Sequence, residues 1–527
     1  MSSPQPDSVY YRSLPRSPDL DHLKEEAKAL KKQIAKGDAE ALAFVQFHQR
    51  AVSGLVKSPL QLASIQFALA RSYGFKSWPR LKAFVESQAL SPPQRAELLL
   101  KTLFTDNFAL LQELYERRDT LASKDIFLAA AFGDVATVES LLSSDPSNAT
   151  RIGGPMQTQA ITYATHSRFG LFDASYNERQ RCIVQLLLAH GADPNSFVQE
   201  EGRGKDEGKL SSLYGCCRYP GNPAVLKLLL DAGANTDDGE SLYHASELTD
   251  TACLELLFTV GVPEKDREFC IRRALDQGNR KAIEIYLKNG TDPNHLDWAL
   301  FRQHPLEIVQ LLIDYGANVN APCESYWLLE RIRELTPIQI AERNGNLATV
   351  DYLLAKGAND NRTPRDKLIG ACARVDEGAV RDLLVAHRDV IRTMNDRDHG
   401  YLAAFARAGK MGAVRLMLDA GFDIEARADD LDATALLYAA GTGHVAMIRL
   451  LIAREAKLEV KHKYDGTPLD TCVHCAAHFR SPLGDYAESA RCLIEAGDTV
   501  TDAQLEFAIE YELDDIAEVL KAHGATL

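Results

Sequence analysis

Apolar and polar positions along this chain follow one repeating pattern. A cluster of aliphatic residues at helical spacing is followed by a short turn that most often contains glycine. In one copy Val309, Leu312 and Ile313 lie three and four residues apart, so they share one face of a helix. Gly316 follows, and glycine ends a helix in the left-handed conformation without steric cost. The pattern predicts helices with one buried face, repeated along the chain.

The turn glycines give the period of the repeat. They are Gly191, Gly233, Gly261, Gly290, Gly316, Gly357, Gly421, Gly497 and Gly524. Two further turns, near Arg388 and Glu455, lack glycine. When those two are included, the intervals from Gly191 to Gly524 average about 33 residues. Repeats of this length stack so that each one buries its apolar face against its neighbours.

Two copies carry a longer motif. TPIQIAERNGNLATVDYLLAKGAND runs from Thr336 to Asp360, and ATALLYAAGTGHVAMIRLLI runs from Ala433 to Ile452. Both resemble the ankyrin consensus TPLHxAAxxGHxxVVxLLLxxGAD, and the resemblance extends over about residues 125–527. It implies an all-α ankyrin-repeat solenoid of about twelve helix-turn-helix repeats, partly degenerate, with a polar C-terminal capping repeat.

The N-terminal region has a different pattern. Proline-rich residues precede a helix that we expect to begin at an N-cap Ser17 followed by Pro18, and to end at Gly37. The predicted domains are a disordered lead-in over 1–18, a small helical module over 19–90, a degenerate helix pair over 91–123 and the repeat array over 124–527.

The segment GFKSWPRLK resembles one that precedes the repeats in bacterial ankyrin-repeat proteins, so we expect a bacterial protein. Two interpretations are open. The module is a cap on the first repeat, with Phe75 and Trp78 buried as its anchor, or it is a helix-turn-helix that exposes Lys76, Arg80 and Lys82 to DNA. We favour the cap, because the basic excess of the module is small.

Composition narrows the classes of function. The net charge is −15, although residues 19–88 hold eleven Lys/Arg against seven Asp/Glu. The repeats are therefore acidic, which disfavours nonspecific nucleic-acid binding. There is no apolar stretch of about 18 residues to span a membrane. The ten cysteines follow no disulfide pattern, which predicts reduced thiols in the cytoplasm. No phosphate loop, dinucleotide motif or catalytic triad is found, so we expect no enzyme and no cofactor.

Alignment on the turn between the two helices of each repeat indicates a candidate binding stripe. The positions that face the concave groove in ankyrin proteins hold Arg302, Arg343, Arg374 and Arg407 in consecutive repeats. Such a stripe binds carboxylates or phosphates through bidentate contacts. The alternative is that each arginine stabilises the C-terminus of its own helix.

Aromatic residues and insertions add to this candidate site. The partner-binding candidates are Tyr219, Trp298, Tyr326 and Trp327, whereas Tyr401 is predicted to lie in the core. The insertions are Asn148–Asn177, Ser196–Lys209, Ala321–Leu335 and Ala477–Tyr486. Insertions in repeat arrays form loops that often bind partners. We expect the polar Ser196–Lys209 loop to be mobile.

One group of residues suggests a metal. Cys472, Cys475 and His478 lie three residues apart on a predicted helix, so one side of it offers three ligands. Cys472, however, stands where the consensus has a buried alanine, and cysteine packs well there. We therefore expect core packing and no metal site.

The predicted function is that of a scaffold or adaptor which binds a protein partner with an acidic surface. We expect no nucleic acid, membrane or small-molecule substrate as a partner. Two alternatives remain: a nucleic-acid-associated regulator that acts through residues 59–86, and a metal-dependent enzyme centred on Cys472, Cys475 and His478. The fold does not choose between them, because ankyrin arrays bind many unrelated molecules.

Overall fold

The computed structural model describes residues 12, 14–15, 18–49, 62–75, 77–88, 90–105, 107–118, 125–200, 208–324, 330–428, 431–511 and 513–526. The chain divides into two compact units, Met1–Thr291 and Asp292–Leu527. This boundary lies inside the region predicted as one array, and the sequence pattern gave no sign of it.

The first unit begins with six helices that precede the regular repeats. They are α1 (Leu20–Ala35), α2 (Ala39–Gln49), α3 (Leu62–Ser72), α4 (Trp78–Gln88), α5 (Pro92–Thr102) and α6 (Phe108–Glu116). Helix α1 starts later than predicted from Ser17 and Pro18, because the Asp19 carboxylate accepts the His22 N–H at 2.9 Å and is the N-cap. Gly37 follows the helix with φ +86°, as expected.

Five helix pairs complete the first unit. They are α7 (Ile126–Phe132) with α8 (Val135–Ser144), α9 (Ala160–His166) with α10 (Tyr176–Ala189), α11 (Ser212–Cys217) with α12 (Pro223–Asp231), α13 (Ser241–Ala245) with α14 (Ala252–Val260), and α15 (Glu264–Gln277) with α16 (Arg280–Lys288). Short 3-10 helices cover Pro146–Ala149 and Phe169–Leu171.

A pair of short β-strands lies at the two ends of the insertion Ser196–Lys209. Strand β1 (Phe197–Gln199) pairs antiparallel with β2 (Lys209–Ser211), and Val198 lies opposite Leu210. Val198 is buried, so an apolar contact fixes this part of the insertion. The prediction of a wholly mobile polar loop is therefore wrong for the residues next to the strands.

Seven helix pairs form the second unit. They are α17 (Leu296–Phe301) with α18 (Leu306–Asp314), α19 (Pro337–Arg343) with α20 (Leu347–Ala355), α21 (Pro364–Ala373) with α22 (Glu377–Ala386), α24 (Tyr401–Arg407) with α25 (Met411–Ala420), α26 (Ala435–Gly441) with α27 (Val445–Ala453), α28 (Pro468–His478) with α29 (Tyr486–Glu495), and α30 (Asp502–Glu510) with α31 (Asp514–Ala522). A one-turn helix, α23 (Asp396–His399), precedes α24, and a 3-10 helix covers Glu330–Ile332. From α7 onwards the described residues form twelve pairs, the predicted number.

The turns after the second helices confirm the glycine pattern. All nine predicted glycines have positive φ, for example +101° at Gly316 and +90° at Gly357. The two turns without glycine differ from each other. Glu455 keeps the left-handed conformation with φ +65°, and the next N–H still bonds to the Leu451 carbonyl at 3.0 Å. The turn near Arg388 does not adopt it: α22 ends at Ala386, and the C-cap residue His387 has φ −128°.

The core lies between the paired helices. Val309 and Leu312 are buried as predicted, whereas Ile313 is only half-buried and the neighbouring Leu311 is buried instead. Tyr401 is buried, which confirms its predicted place in the core. Within the part of the chain that the structure describes, every helix is too short or too polar to cross a membrane.

Candidate functional site

The candidate site lies on the second unit, where the first helices of successive repeats end side by side. We call this surface the groove face; it comprises the C-terminal ends of α17, α19, α21, α24, α26, α28 and α30. The alignment placed the four arginines correctly along the chain. Arg302 and Arg374 cap α17 and α21, and Arg343 and Arg407 are the last residues of α19 and α24.

Arg343 is not available to a partner, because its side chain is only 6% exposed. Its guanidinium bonds to Asp366 and lies 2.9 Å from the Asp398 carboxylate, and it sits 5.3 Å from the ring centre of Tyr401. The prediction that Arg343 belongs to a binding stripe is wrong. Its helix position is as expected, but its role is to neutralise two buried carboxylates.

The two carboxylates are supplied by helix caps. Asp366 is the third residue of α21 and accepts the Thr363 N–H at 2.7 Å, and Asp398 does the same for Asn395 at 3.2 Å. Burial raises the pKa of Asp366, but the charge of Arg343 and the bonds from Thr363 outweigh it, and the pKa is lower than usual. Each carboxylate thus caps the N-terminus of its own helix and also forms an ion pair with Arg343 of an earlier repeat.

Arg374 is also engaged within the protein. Its guanidinium lies 2.9 Å from the Glu342 carboxylate, which is buried and bonds to Arg362 at 2.7 Å as well. These contacts, like those of Arg343, connect neighbouring repeats. Hence the two middle arginines of the predicted stripe hold the array together.

Arg302 and Arg407 are exposed at the two ends of the predicted stripe. The Arg302 guanidinium lies 5.7 Å from the ring centre of Trp298, and that of Arg407 lies 5.3 Å from the ring centre of Tyr438. Each is a cation–π arrangement made by an exposed residue. The structure therefore brings the predicted residues Arg302 and Trp298 together.

The other predicted aromatic residues do not join this surface. Tyr219 is exposed but belongs to the first unit, where it follows α11. Tyr326 and Trp327 lie outside the described residues, so their predicted role stays a prediction.

A cavity of about 930 Å³ opens on the groove face between α24, α26, α28 and the loop before α28. Its lining includes Arg407, Tyr438, His462, Tyr464, His474 and Phe479. Tyr464 and Phe479 are 70% and 71% exposed, which is unusual for large aromatic side chains. Its volume is within the range of cavities that hold ligands.

Of the predicted partner-binding residues only Arg407 lines this cavity, although Cys475 was a metal candidate and Phe479 belongs to the predicted Ala477–Tyr486 insertion. His474 follows Thr467 by the same seven residues that separate Arg343 from Thr336, so continuing the alignment would have reached it. Tyr464 had no such signal, because it lies in a loop whose path depends on the neighbouring repeat.

The cysteines and histidines of α28 differ in their exposure to solvent. Cys472 is buried and donates its S–H to the Tyr486 carbonyl oxygen at 3.4 Å, so its predicted packing role is confirmed. Burial raises the pKa of both Cys472 and Cys475. His474 and His478 are exposed, and burial together with the charge of His478 lowers the pKa of His474. No group of three or more metal-ligating side chains is found among the described residues.

The N-terminal module turns its central arginine inwards. Arg80 is buried, lies 2.7 Å from the Glu116 carboxylate and donates to the Ala109 carbonyl oxygen at 2.8 Å. It therefore joins α4 to α6 and is not exposed for DNA, while Lys76 lies outside the described residues. Phe75 and Trp78 are half-buried against the core of the module itself, so their predicted role as an anchor on the first repeat is wrong.

Comparison with known proteins identifies the family. The ankyrin repeat model matches residues 295–324 and 333–365, and a second model, for many copies of ankyrin repeats, matches residues 402–452. Alpha-latrocrustotoxin-Lt1a from Latrodectus tredecimguttatus is 24% identical over 127 residues, which are 24% of this chain and 8% of that protein. The chain thus spans a small part of the length of this relative.

Two solved ankyrin repeat domains are also similar. One from Acinetobacter baumannii is 20% identical, with a TM-score of 0.27, and the match covers 36% of this chain and 98% of that one. That of human ASB11 is 20% identical, with a TM-score of 0.23, and the match covers 44% and 98%. The repeated helix pairs, the left-handed turns between them and the family matches show that this chain is an ankyrin-repeat protein.

Proposed function

We propose that the chain is an adaptor that receives a segment of a protein partner in the cavity beside Arg407. Ankyrin repeats generally act as protein-interaction modules and are typically not enzymes. The observation that carries the proposal is the exposure of Tyr464 and Phe479 in one cavity with an arginine. Burying such a side chain against a partner is worth roughly 1.5–3 kcal/mol.

The lining indicates the chemistry of the segment. The exposed guanidinium of Arg407 suits a carboxylate, to which arginine offers two parallel N–H groups. Lys463 adds a second positive charge and lies 5.1 Å from the ring centre of Tyr464. The exposed rings of Tyr464 and Phe479 supply apolar surface beside these charges. The partner segment therefore combines an acidic side chain with a large apolar one.

A peptide-display selection on the immobilised full-length chain tests this proposal. We expect it to enrich peptides with an acidic and a large apolar residue. Arg407→Glu and Phe479→Ser should each weaken their binding about 30-fold, the effect of losing a hot-spot residue of about 2 kcal/mol. Arg343 is left unchanged, because its replacement would disturb the fold.

The controls are matched in exposure. Arg392→Glu changes an arginine that is 80% exposed, and Leu483→Ser changes a leucine that is 94% exposed and does not line the cavity. Both should bind the selected peptides like the wild type. If the peptides bind all four variants equally, or if none is enriched, the proposal is wrong.

The proposal also gives a location. All ten cysteines are free thiols, which suits the reducing cytoplasm, and we propose that the adaptor acts there. The bacterial origin stays a prediction from the resemblance of GFKSWPRLK. The DNA-binding alternative loses Arg80 from its predicted basic residues, since Arg80 is buried against α6.

A further inference from the structure

We propose that His474 and His478 form a binding site for a divalent transition-metal ion of the zinc, nickel or copper(II) type. The site lies on the groove face, and it does not depend on the proposed adaptor function. Imidazole nitrogen is a preferred ligand of these three metals. Two histidines four residues apart on one helix can both reach one ion.

The rings are already close enough to share an ion. Both side chains are exposed on α28, with their ring centres 4.6 Å apart and the ring planes at 49°. A metal about 2.1 Å from each ligand nitrogen lies about 3.2 Å from each ring centre. Ring centres at the observed spacing then subtend an angle of about 90° at the metal, which is normal for adjacent ligands.

Neighbouring aromatic rings hold the two imidazoles in place. The ring of His478 lies 4.7 Å from that of Tyr511, and Phe507 lies 5.8 Å from His474 and 5.9 Å from His478. Rings packed in this way lose little rotational freedom when an ion binds, so the pair is preorganised.

Two other potential ligands on α28, Cys472 and Asp470, are engaged elsewhere. Cys472 is buried and directed at the Tyr486 carbonyl. The Asp470 carboxylate, one turn before His474, accepts the Thr467 N–H at 2.9 Å and the Gln504 side-chain amide at 2.6 Å. The protein thus supplies two ligands, and the other coordination positions face solvent. Folding does not need the ion, because a structural zinc site has four protein ligands.

Isothermal titration calorimetry of the full-length chain with Ni²⁺ tests the site. We expect one site in the wild type and a loss of affinity of at least ~10-fold in both His474→Gln and His478→Gln, since even the loss of a supporting residue costs about 10–100-fold. The double variant should lose the site. All three should keep the helical circular dichroism of the wild type, because both histidines are exposed.

Two controls and one spectroscopic measurement complete the test. His523→Gln and Cys475→Ser should leave the Ni²⁺ affinity unchanged. The electron paramagnetic resonance spectrum of bound Cu²⁺ should show two coordinated nitrogens in the wild type and one in each single histidine variant. Equal Ni²⁺ affinity in the wild type and the double variant, or no binding below millimolar concentration, overturns the proposal. Peptide binding is measured with a chelator present, so failure of one proposal is distinguishable from failure of the other.

Discussion

Replacing Arg343 with methionine would remove the positive charge between Asp366 and Asp398 while keeping much of the side-chain volume. Both carboxylates are buried, and both cap their own helices. Arg365 still reaches Asp398 at 3.0 Å, but Asp366 loses the cation that it contacts. The variant therefore leaves a buried charge without its main partner.

The expected cost is large for a single substitution. Removing one partner of a buried ion pair typically destabilises a protein by about 3–5 kcal/mol, because the remaining charge stays desolvated. The matched control is Arg392→Met, whose ion pair with Asp389 lies at the surface, where both side chains are at least 71% exposed. Surface pairs contribute about 0–1 kcal/mol, so the control should be nearly neutral.

The effect should also depend on pH. In the wild type the folded pKa of Asp366 is below its ordinary value of 3.8, so its stabilising effect is present above pH 3.8 and is lost as the pH falls through the folded pKa. Without Arg343, only the hydrogen bonds from Thr363 and Gln339 oppose the effect of burial, so we expect the folded pKa of Asp366 to rise above the unfolded value. The penalty in the variant should then be smaller at pH 5 than at pH 7.5.

Urea unfolding followed by circular dichroism measures both expectations. The midpoint should fall strongly in Arg343→Met and little in Arg392→Met, with similar slopes in all proteins. Free energies are compared only if the slopes agree, since repeat arrays need not unfold in one step. A loss below about 1 kcal/mol that does not change with pH would show that Arg343 is not the buried counter-ion described above.

Three further predictions concern the turns and two buried titratable groups. Glu455→Gly should stabilise the chain by about 1 kcal/mol in urea unfolding, because glycine adopts the left-handed conformation without the cost of a Cβ, and Gly357→Ala should lose a similar amount. Burial lowers the pKa of His166 to about 3 from 6.5, so the free energy of unfolding should fall as the pH drops below 6.5. This loss should be about 1.4 kcal/mol per pH unit, and it should be absent in His166→Leu. Urea unfolding of both proteins between pH 7 and 4.5 measures the difference. Burial raises the pKa of Asp498 to about 6, so its carboxyl carbon should titrate by NMR near pH 6 and not near 3.8, and its contribution to stability should be lost as the pH rises through 6.

The repeat pattern predicted the helix pairs because each pair depends on residues that are close together in the sequence. A buried helix face and a left-handed turn each depend on residues within a few positions, as at Leu312 and Gly316. Even the turn at Glu455 obeys the rule without glycine. The boundary after Thr291 has no such local signal, because it depends on how densely distant helices pack.

The candidate site was less predictable because its side chains are paired across repeats. Alignment places Arg343 and Arg407 at equivalent helix ends, yet one is buried and the other exposed. The difference comes from Asp366 and Asp398, which belong to later repeats. A pattern read along one repeat gives the position of an arginine but not the carboxylate that meets it.

The same contacts are our reason for placing the proposed binding surface near the C-terminal repeats. Between α19 and α24 the charged groups on this face neutralise one another, so a partner would have to replace ion pairs that are already made. Beyond Arg407 the face carries the exposed aromatic rings of Tyr464 and Phe479, and α26 has no charged residue that could form an ion pair with α28. Burying these aromatic rings against a partner is favourable, and the ion-paired repeats that precede them form a rigid support. We therefore expect a partner with an acidic and an apolar anchor to bind beside Arg407, where the ion-pair network ends.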